Sequence, residues 1–492
     1  MADSTYKSIA KANTLFGGVQ VFNILISIVR SKLVAILLGP AGMGIMGLFQ
    51  SSIDLVRSFT NMGLQTSAVR DVSLANKSGD TSEISATKTV VSRLVWITGM
   101  LGTLITYLGA SYLSTMAFGN KDYTIHFQIL SIILLINQLT VQHNVLLQGM
   151  RQLKKLAAAN IIGSLVGLFI NIPLFYFLGE QGIVPALIMV ALSAYLVAWF
   201  NSRTLKIKKA DISWKDTFLK GKNMLEMGLL IGLTGLMDML IIYIVKVAIQ
   251  NWGSVAEVGL YTAGFAIVQS YVNLIFGAIS TDYYPRLCAA SNNKEAYCEI
   301  GNKQFEIMIL ALTPLILFFI AFSPILLYIL YSSEFEGIFL MVDWIAFGMI
   351  LRAYSWCPGF LYLAKGDSKL YFVIYIVTFI YTLLFYLGGF KLWGLTGVGF
   401  AFPLGYLVGT GATLLIVYKR YGFVFSKTSN QFMLMATAAA LSLLCVSYYV
   451  PSPYSYFINI PILIITTLYC YKQMDKRLDI NGLLKKTFRN NG

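Results

Sequence analysis

The sequence predicts an all-α, polytopic membrane protein, and three observations predict it. Hydrophobic residues make up 57% of the 492 residues and charged residues only 12%, against roughly 25% charged in a soluble domain. Apolar stretches of about 20 residues, the length that crosses a bilayer core, recur from one end of the chain to the other. The Lys and Arg residues then fall almost wholly on alternate connections, as the cytoplasmic loops of a membrane protein require.

Fourteen spans can be placed in order, near 15–38, 43–66, 90–113, 125–148, 156–178, 183–202, 225–249, 258–282, 305–330, 338–363, 370–388, 394–418, 431–450 and 456–472. Lys7 and Lys11 precede the first apolar run, which is too long for the core of a signal peptide and is read as a span. Turns are expected at Gly39-Pro40, Gly119-Asn120, Gly179–Gly182 and Gly388-Gly389. Pro173, Pro314, Pro358 and Pro403 fall within spans and are read as kinks. The longest polar connections are expected around Arg70–Lys88 and Arg203–Lys222.

With a cytoplasmic N-terminus, thirty cations lie on the inner connections and the tail. Only Lys121 and Lys391 lie outside, and five fall within spans. A wrong span count would scramble this asymmetry, so both termini are expected to be cytoplasmic. The formal net charge of +15 is therefore read as membrane orientation and contact with anionic lipid. No nucleic-acid motif accompanies it.

The longest basic loop divides the chain. Residues 1–203 form an expected N-lobe of six spans, 204–220 a basic cytoplasmic linker, and 221–420 a C-lobe of six spans. Residues 421–492 hold two further spans and a basic tail. This arrangement suggests an internal repeat with two lobes around a central cavity. Gly47-Leu48-Phe49-Gln50 opens span 2 as Gly259-Leu260-Tyr261-Thr262 opens span 8, and Val56 then matches Val268.

The within-span charges carry the functional argument. They are Arg30, Lys32, Arg57, Lys246 and Arg352 against Asp54, Asp238 and Asp343. An ionised group in the bilayer core costs ~2.5 kcal/mol or more, and it usually faces a cavity or a partner. Five cations and three acids cannot all pair, so positive charge is left for a hydrated cavity or an anion. Arg30 lies ~12 Å from the outer end of span 1 and is too deep to reach the interface, whereas Lys32 can snorkel. Asp54 and Arg57 share a face at i, i+3; they form a local pair, or Asp54 orients Arg57 toward a phosphate, whose geometry a guanidinium matches. Asp238 is either the partner of a buried cation or a coupling group. Lys246 snorkels or binds the anion, Arg352 is a mid-span candidate for it, and Asp343 is expected at the interface. Asn23, Gln50, Asn137, Gln138, Gln142, Asn160, Asn171, Gln269 and Asn273 also punctuate the spans. Most are read as interhelical hydrogen bonds, with those on spans 1, 2, 7 and 8 available to sugar hydroxyls.

No catalytic set is present. His126 and His143 are the two histidines, neither in a metal-ligand pattern, and no cofactor or metal is expected. Cys288, Cys298, Cys357, Cys445 and Cys470 have no metal-like spacing and are read as ordinary small residues. No outer loop is large enough to carry an extracytoplasmic active site.

The segment Arg30-Ser-Lys-Leu-Val-Ala-Ile-Leu-Leu-Gly-Pro-Ala-Gly-Met-Gly44, followed by Gly47-Leu-Phe-Gln50 and Thr60-Asn-Met-Gly-Leu64, resembles the opening of the Wzx-type polysaccharide translocases. These belong to the multidrug/oligosaccharidyl-lipid/polysaccharide (MOP) exporter superfamily. The motif similarity covers about the first 75 residues, and the span plan extends it loosely over the chain. The resemblance implies a V-shaped, pseudo-twofold pair of six-helix lobes working by alternating access. It implies an undecaprenyl-pyrophosphate-linked oligosaccharide, such as an O-antigen unit, moved to the outer leaflet of a bacterial inner membrane. It implies Arg30 and Arg57 as cavity residues, and a glycan polymerase and chain-length machinery as partners. Two alternatives fit the charge pattern less well. A drug/cation antiporter of the same superfamily needs an acidic cavity, and this set sums positive. A membrane polymerase or glycosyltransferase needs clustered acids or a large outer loop.

Overall fold

The computed structural model describes residues 2–479 except Met62, Lys209 and Ser452, and every regular element among them is helical. Helix α1 (Ala2–Asn61) holds the first two spans. Gly39 breaks it at φ 63°, ψ −169°, with Pro40 next, a backbone conformation open to glycine. Helix α2 (Leu64–Ser78) follows, then α3 (Thr81–Leu108), α4 (Ala110–Phe118), α5 (Thr124–Leu130) and α6 (Ile132–Gly149). Helices α7 (Leu153–Leu178) and α8 (Ile183–Arg203) flank a single 3-10 turn at Gly179–Gly182. Next come α9 (Trp214–Trp252), α10 (Val255–Ala289), α11 (Lys294–Leu330) and α12 (Phe339–Ala364). Helix α13 (Ser368–Tyr421) is again two spans, and α14 (Lys427–Tyr449) and α15 (Tyr454–Leu478) close the described chain.

Eleven continuous apolar stretches are long enough to cross a membrane. Three of them, Phe22–Asn61, Leu153–Arg203 and Ser368–Tyr421, are broken into two passes each, which makes the fourteen passes that the sequence predicts. Two expectations need correction. The turn expected at Gly388-Gly389 lies instead at Trp393 (φ −139°, ψ 22°) and Gly394 (φ 58°, ψ −142°). Gly389 and Gly397 serve close approach: a Cβ on either would overlap the carbonyl oxygen of the other. The polar connection around Arg70–Lys88 is helical except at Gly79-Asp80. Leu64, Ala68, Val72 and Ala75 form one buried face of α2, a helical period inside an otherwise polar segment. Asp80 then caps α3 by accepting from the Ser82 N–H at 2.8 Å.

The chain divides into two compact units. One is Met1–Leu260 with Leu330–Ser332, the other Tyr261–Ile329 with Ser333–Gly492. In the first, α7 packs on α8, α3 on α6, and α1 on both α7 and α9. Helix α9 joins this unit through close backbone contacts. A Cβ on Gly63 would overlap the carbonyl oxygen of Gly228.

The basic segment between α8 and α9 lies along α3. The Lys88 amine bonds the Ile207 carbonyl, and the Ala210 N–H donates to Thr89 Oγ1 at 3.0 Å. Arg93 Nη1 donates to the Ile212 carbonyl at 2.9 Å and to Thr217 Oγ1 at 2.6 Å, while its guanidinium covers Trp214 at 4.6 Å. Leu205, Ile207 and Ile212 pack on a core of α2, α3 and α6 residues that includes Leu64, Val91, Leu94 and Leu146. The expected linker is thus held by both hydrogen bonds and apolar burial.

In the second unit, α12 packs on α13 and α14, and α14 on α15. Arg477 of α15 donates to Glu306 of α11 at 2.9 Å and lies over Phe432 at 4.7 Å. The connection from α12 to α13 is fixed by Asp367, which accepts two bonds from Arg420, each 2.9 Å, and one from the Tyr421 hydroxyl. These donors hold the Asp367 carboxyl down at about 2, from an ordinary 3.8. A depressed carboxyl stabilises the fold above its unfolded value and loses that contribution as pH falls through its folded value. The melting difference between wild type and Asp367→Asn is therefore expected to be constant above about pH 5 and to shrink toward about pH 2. Thermal melts in detergent across that range check it.

Candidate transport site

Helix α1 places Asn23, Ser27 and Arg30 at i, i+4 and i+7, one face of its first span. That face borders a cleft of about 260 Å³ inside the first unit. Thr140 and Asn144 of α6 and Asn160 and Ser164 of α7 line it too. The opposite wall is small: Gly163 and Gly167 of α7 face Ala194 and Val190 of α8. Small residues let the helix backbones approach and leave the space to the polar groups. The Ser164 hydroxyl donates to Asn23 Oδ1 at 3.1 Å.

Among the described residues, Arg30 is the one charged residue in this lining, and no acid lines it. It is exposed to the cleft and has no carboxylate partner among the described residues. A guanidinium in this position offers five N–H donors in a fixed fork. Around it stand three asparagine amides and three hydroxyls, which both donate and accept. The cleft can therefore hold an anion at Arg30 and hydroxyl or amide groups beside it.

Arg57 does not line this cleft. It pairs with Asp54 at 3.1 Å, and Gln50 donates to the other Asp54 oxygen at 3.0 Å. The expected i, i+3 pairing is present, and the Arg57 side chain remains 43% exposed. Lys246 of α9 does not snorkel. It is buried and donates to the Gly47 carbonyl at 3.1 Å, with Asp54 close enough to act on it. Asp238 lies exposed on the same helix. In the second unit, Arg352 of α12 donates to Asn273 Oδ1 of α10 at 3.2 Å and covers Phe276 at 4.8 Å. Asp343, expected at the interface, is instead completely buried. Its neighbours Met341, Val342, Ile345 and Ala346 are buried as well, because α12 is covered on several sides from its first turn.

Of the polar residues singled out in the sequence, Asn23, Asn160 and Arg30 meet in one cleft. Gln138 bonds Asn61 at 3.2 Å, the interhelical role expected of most. Thr140 and Asn144 were not anticipated as lining. A signal existed: with Asn137 they form an i, i+3, i+7 stripe on span 4.

Helices long and apolar enough for fourteen passes, with a polar cleft inside the first unit that holds a guanidinium, define the class as a multi-pass membrane protein. Residues 33–340 match the family described as "Polysaccharide biosynthesis protein", and the chain belongs to that family. It is 22% identical over 391 residues to the Lipid III flippase of Escherichia coli (strain K12), covering 77% of this chain and 90% of that one. Its fold is similar to an inward-facing multidrug resistance MATE family transporter of the MOP superfamily. That likeness has a TM-score of 0.68 and 16% identity, and covers 82% of this chain and 94% of that chain. It is similar also to the lipid II flippase MurJ in an inward closed conformation, with TM-score 0.66, 14% identity, and 94% and 99% covered. The chain is thus a multi-pass member of that family with the fold of these transporters.

Proposed function

We propose that this chain moves an undecaprenyl-diphosphate-linked oligosaccharide, an O-antigen or similar repeat unit, from the cytoplasmic to the outer leaflet of a bacterial inner membrane. The observation that carries the reading is Arg30, a guanidinium set among amides and hydroxyls with no acid partner among the described residues. The cargo head has the matching parts. Its diphosphate takes the fork of Arg30, its sugar hydroxyls take the asparagines, and its lipid tail stays in the bilayer.

In this reading Arg30 and Arg57 are successive stations. Counted from the break at Gly39-Pro40, Arg30 lies ~13 Å down its span and Arg57 ~25 Å down the next. A diphosphate can be passed between cations at different depths, with Asp54 and Gln50 keeping Arg57 oriented. Lys246 adds positive field from its buried position, and Arg352 serves the second unit. Asp238 remains the orienting or coupling acid of α9. The expected six-span lobes, 1–203 and 221–420, alternate access to this path, and both termini face the cytoplasm. A polymerase and chain-length machinery receive the product. A cationic-drug antiporter is disfavoured because the cleft holds a cation and no acid.

In cells lacking this chain, undecaprenyl-linked intermediates are expected to accumulate in the inner leaflet while surface glycan is lost. Leaflet-resolved analysis of those intermediates checks it. Undiminished surface glycan refutes it.

A further inference from the structure

The second unit has a cleft of its own that uses no residue of the proposed cargo path. Its volume is about 370 Å³, within the roughly 300–1,000 Å³ of small-molecule sites. It lies between the far end of α11, the turn into α12 and the turn that joins α14 to α15. Its walls are apolar where these pieces supply Ile320, Pro324, Phe339, Val450 and Pro451. Its polar groups are the Glu336 carboxyl and the hydroxyls of Ser447, Ser455 and Tyr456. The Tyr456 ring is stacked on Phe322 at 6.0 Å, which fixes that wall.

The cleft lies at the level of lipid headgroups. The span ends that form it are opposite those joined by the Lys- and Arg-rich connections at 286–303, 365–369 and 419–427. Tyr328, Tyr448, Tyr449, Tyr454 and Phe457 belong to the same span ends and are 57% to 78% exposed, and exposed aromatic rings collect at membrane–water interfaces. Among the described residues, Glu336 is the one charged residue in the lining, and no Lys or Arg pairs with it. An anionic lipid is repelled there, because its phosphate meets a carboxylate and no cation. A choline head carries positive charge but no N–H. A primary ammonium has three N–H donors, and its bond to a carboxylate is charge-assisted. The phosphate of the same lipid can accept from the three hydroxyls, while its glycerol and upper acyl chains meet the apolar walls.

We infer that this cleft binds a phospholipid of the surrounding leaflet whose head ends in a primary ammonium, the chemistry of phosphatidylethanolamine. The ammonium takes Glu336, the phosphate takes the hydroxyls, and the acyl chains stay in the bilayer. The bound lipid joins the α11–α12 turn to the α14–α15 turn and stabilises the folded chain by mass action. The inference goes beyond the glycan reading and does not depend on which cargo is carried.

Native mass spectrometry of the purified full chain tests it. Phosphatidylethanolamine, phosphatidylcholine and phosphatidylglycerol with identical acyl chains are offered at equal concentration. Wild type should retain a phosphatidylethanolamine about tenfold more readily than either of the others. Glu336→Gln keeps the shape of the side chain and removes its charge, so the preference should vanish. Glu334→Gln changes an exposed acid two residues away that does not line the cleft, and the preference should remain. Phosphatidylethanolamine should also raise the melting temperature of wild type and Glu334→Gln, and not that of Glu336→Gln. Equal retention of the three lipids by wild type overturns the inference, and so does selectivity for phosphatidylglycerol. A preference that survives Glu336→Gln overturns it as well. The wild-type comparison decides even where Glu336→Gln fails to fold.

Discussion

Arg30→Ala is expected to lower translocation roughly a hundredfold at matched protein level, the equivalent of about 3 kcal/mol. Among the described residues Arg30 is the sole charge lining its cleft and has no acid partner. On the proposed function its loss would remove charge-assisted hydrogen bonds to the cargo without leaving an unpaired acid behind. The fold should survive, with a melting temperature close to wild type. Arg30→Lys keeps the charge but loses the planar fork, so only part of the activity should return. Arg57→Ala is expected to cost less, because Arg57 is 43% exposed and already shared with Asp54. Translocation of a fluorescent undecaprenyl-diphosphate-linked N-acetylglucosamine by purified variants in liposomes checks all three. Full activity in Arg30→Ala would remove the anion site.

Gly63→Ala should have the largest effect on stability. Gly63 ends the second span at φ 63°, ψ 15°, a left-handed conformation. An alanine there costs about 1–2 kcal/mol from the backbone alone. Its Cβ would also overlap the carbonyl oxygen of Gly228, so α9 must move. Displacing packed backbone adds about 1–3 kcal/mol, which brings the total to about 2–5 kcal/mol. Gly79→Ala is the control. Gly79 has the same left-handed backbone at φ 73°, with nothing within 4 Å of a Cβ. Only the backbone cost should appear, about 1–2 kcal/mol. Melting and expression of the two variants separate conformation from contact. Equal losses would mean that the approach of α9 contributes nothing.

Gly63 also shows what a motif means physically. It was visible as part of Thr60-Asn-Met-Gly-Leu64, but its purpose was not. The approaching residue, Gly228, lies far along the chain in a span with no matching motif. Gly388-Gly389 gave the opposite lesson. A glycine pair suggested a turn, yet the chain turns at Trp393–Gly394 and Gly389 packs on Gly397. Glycine marks either a left-handed backbone or a close approach, and local sequence does not distinguish the two.

The charged residues divide in the same way. The depth of Arg30 follows from counting residues along a helix, and so does the pairing of Asp54 with Arg57. The fates of Lys246 and Asp343 do not. Both lie near span ends, where reach to the interface is the natural expectation. Cover by other helices decides against it, giving Lys246 the Gly47 carbonyl and Asp343 a dry site beside Ser323.

By itself the sequence determined the class, the fourteen passes and the presence of uncompensated positive charge within them. Those follow from transfer free energies and helical rise, which act residue by residue along the chain. The tertiary structure alone decided which polar groups meet. It gathered Arg30 with Asn23, Asn144, Asn160 and Ser164, left Arg57 with Asp54, held the 204–213 segment on α3, and enclosed Asp343. Each of those outcomes depends on which helix faces pack together, and hydropathy along one strand of sequence contains no term for that.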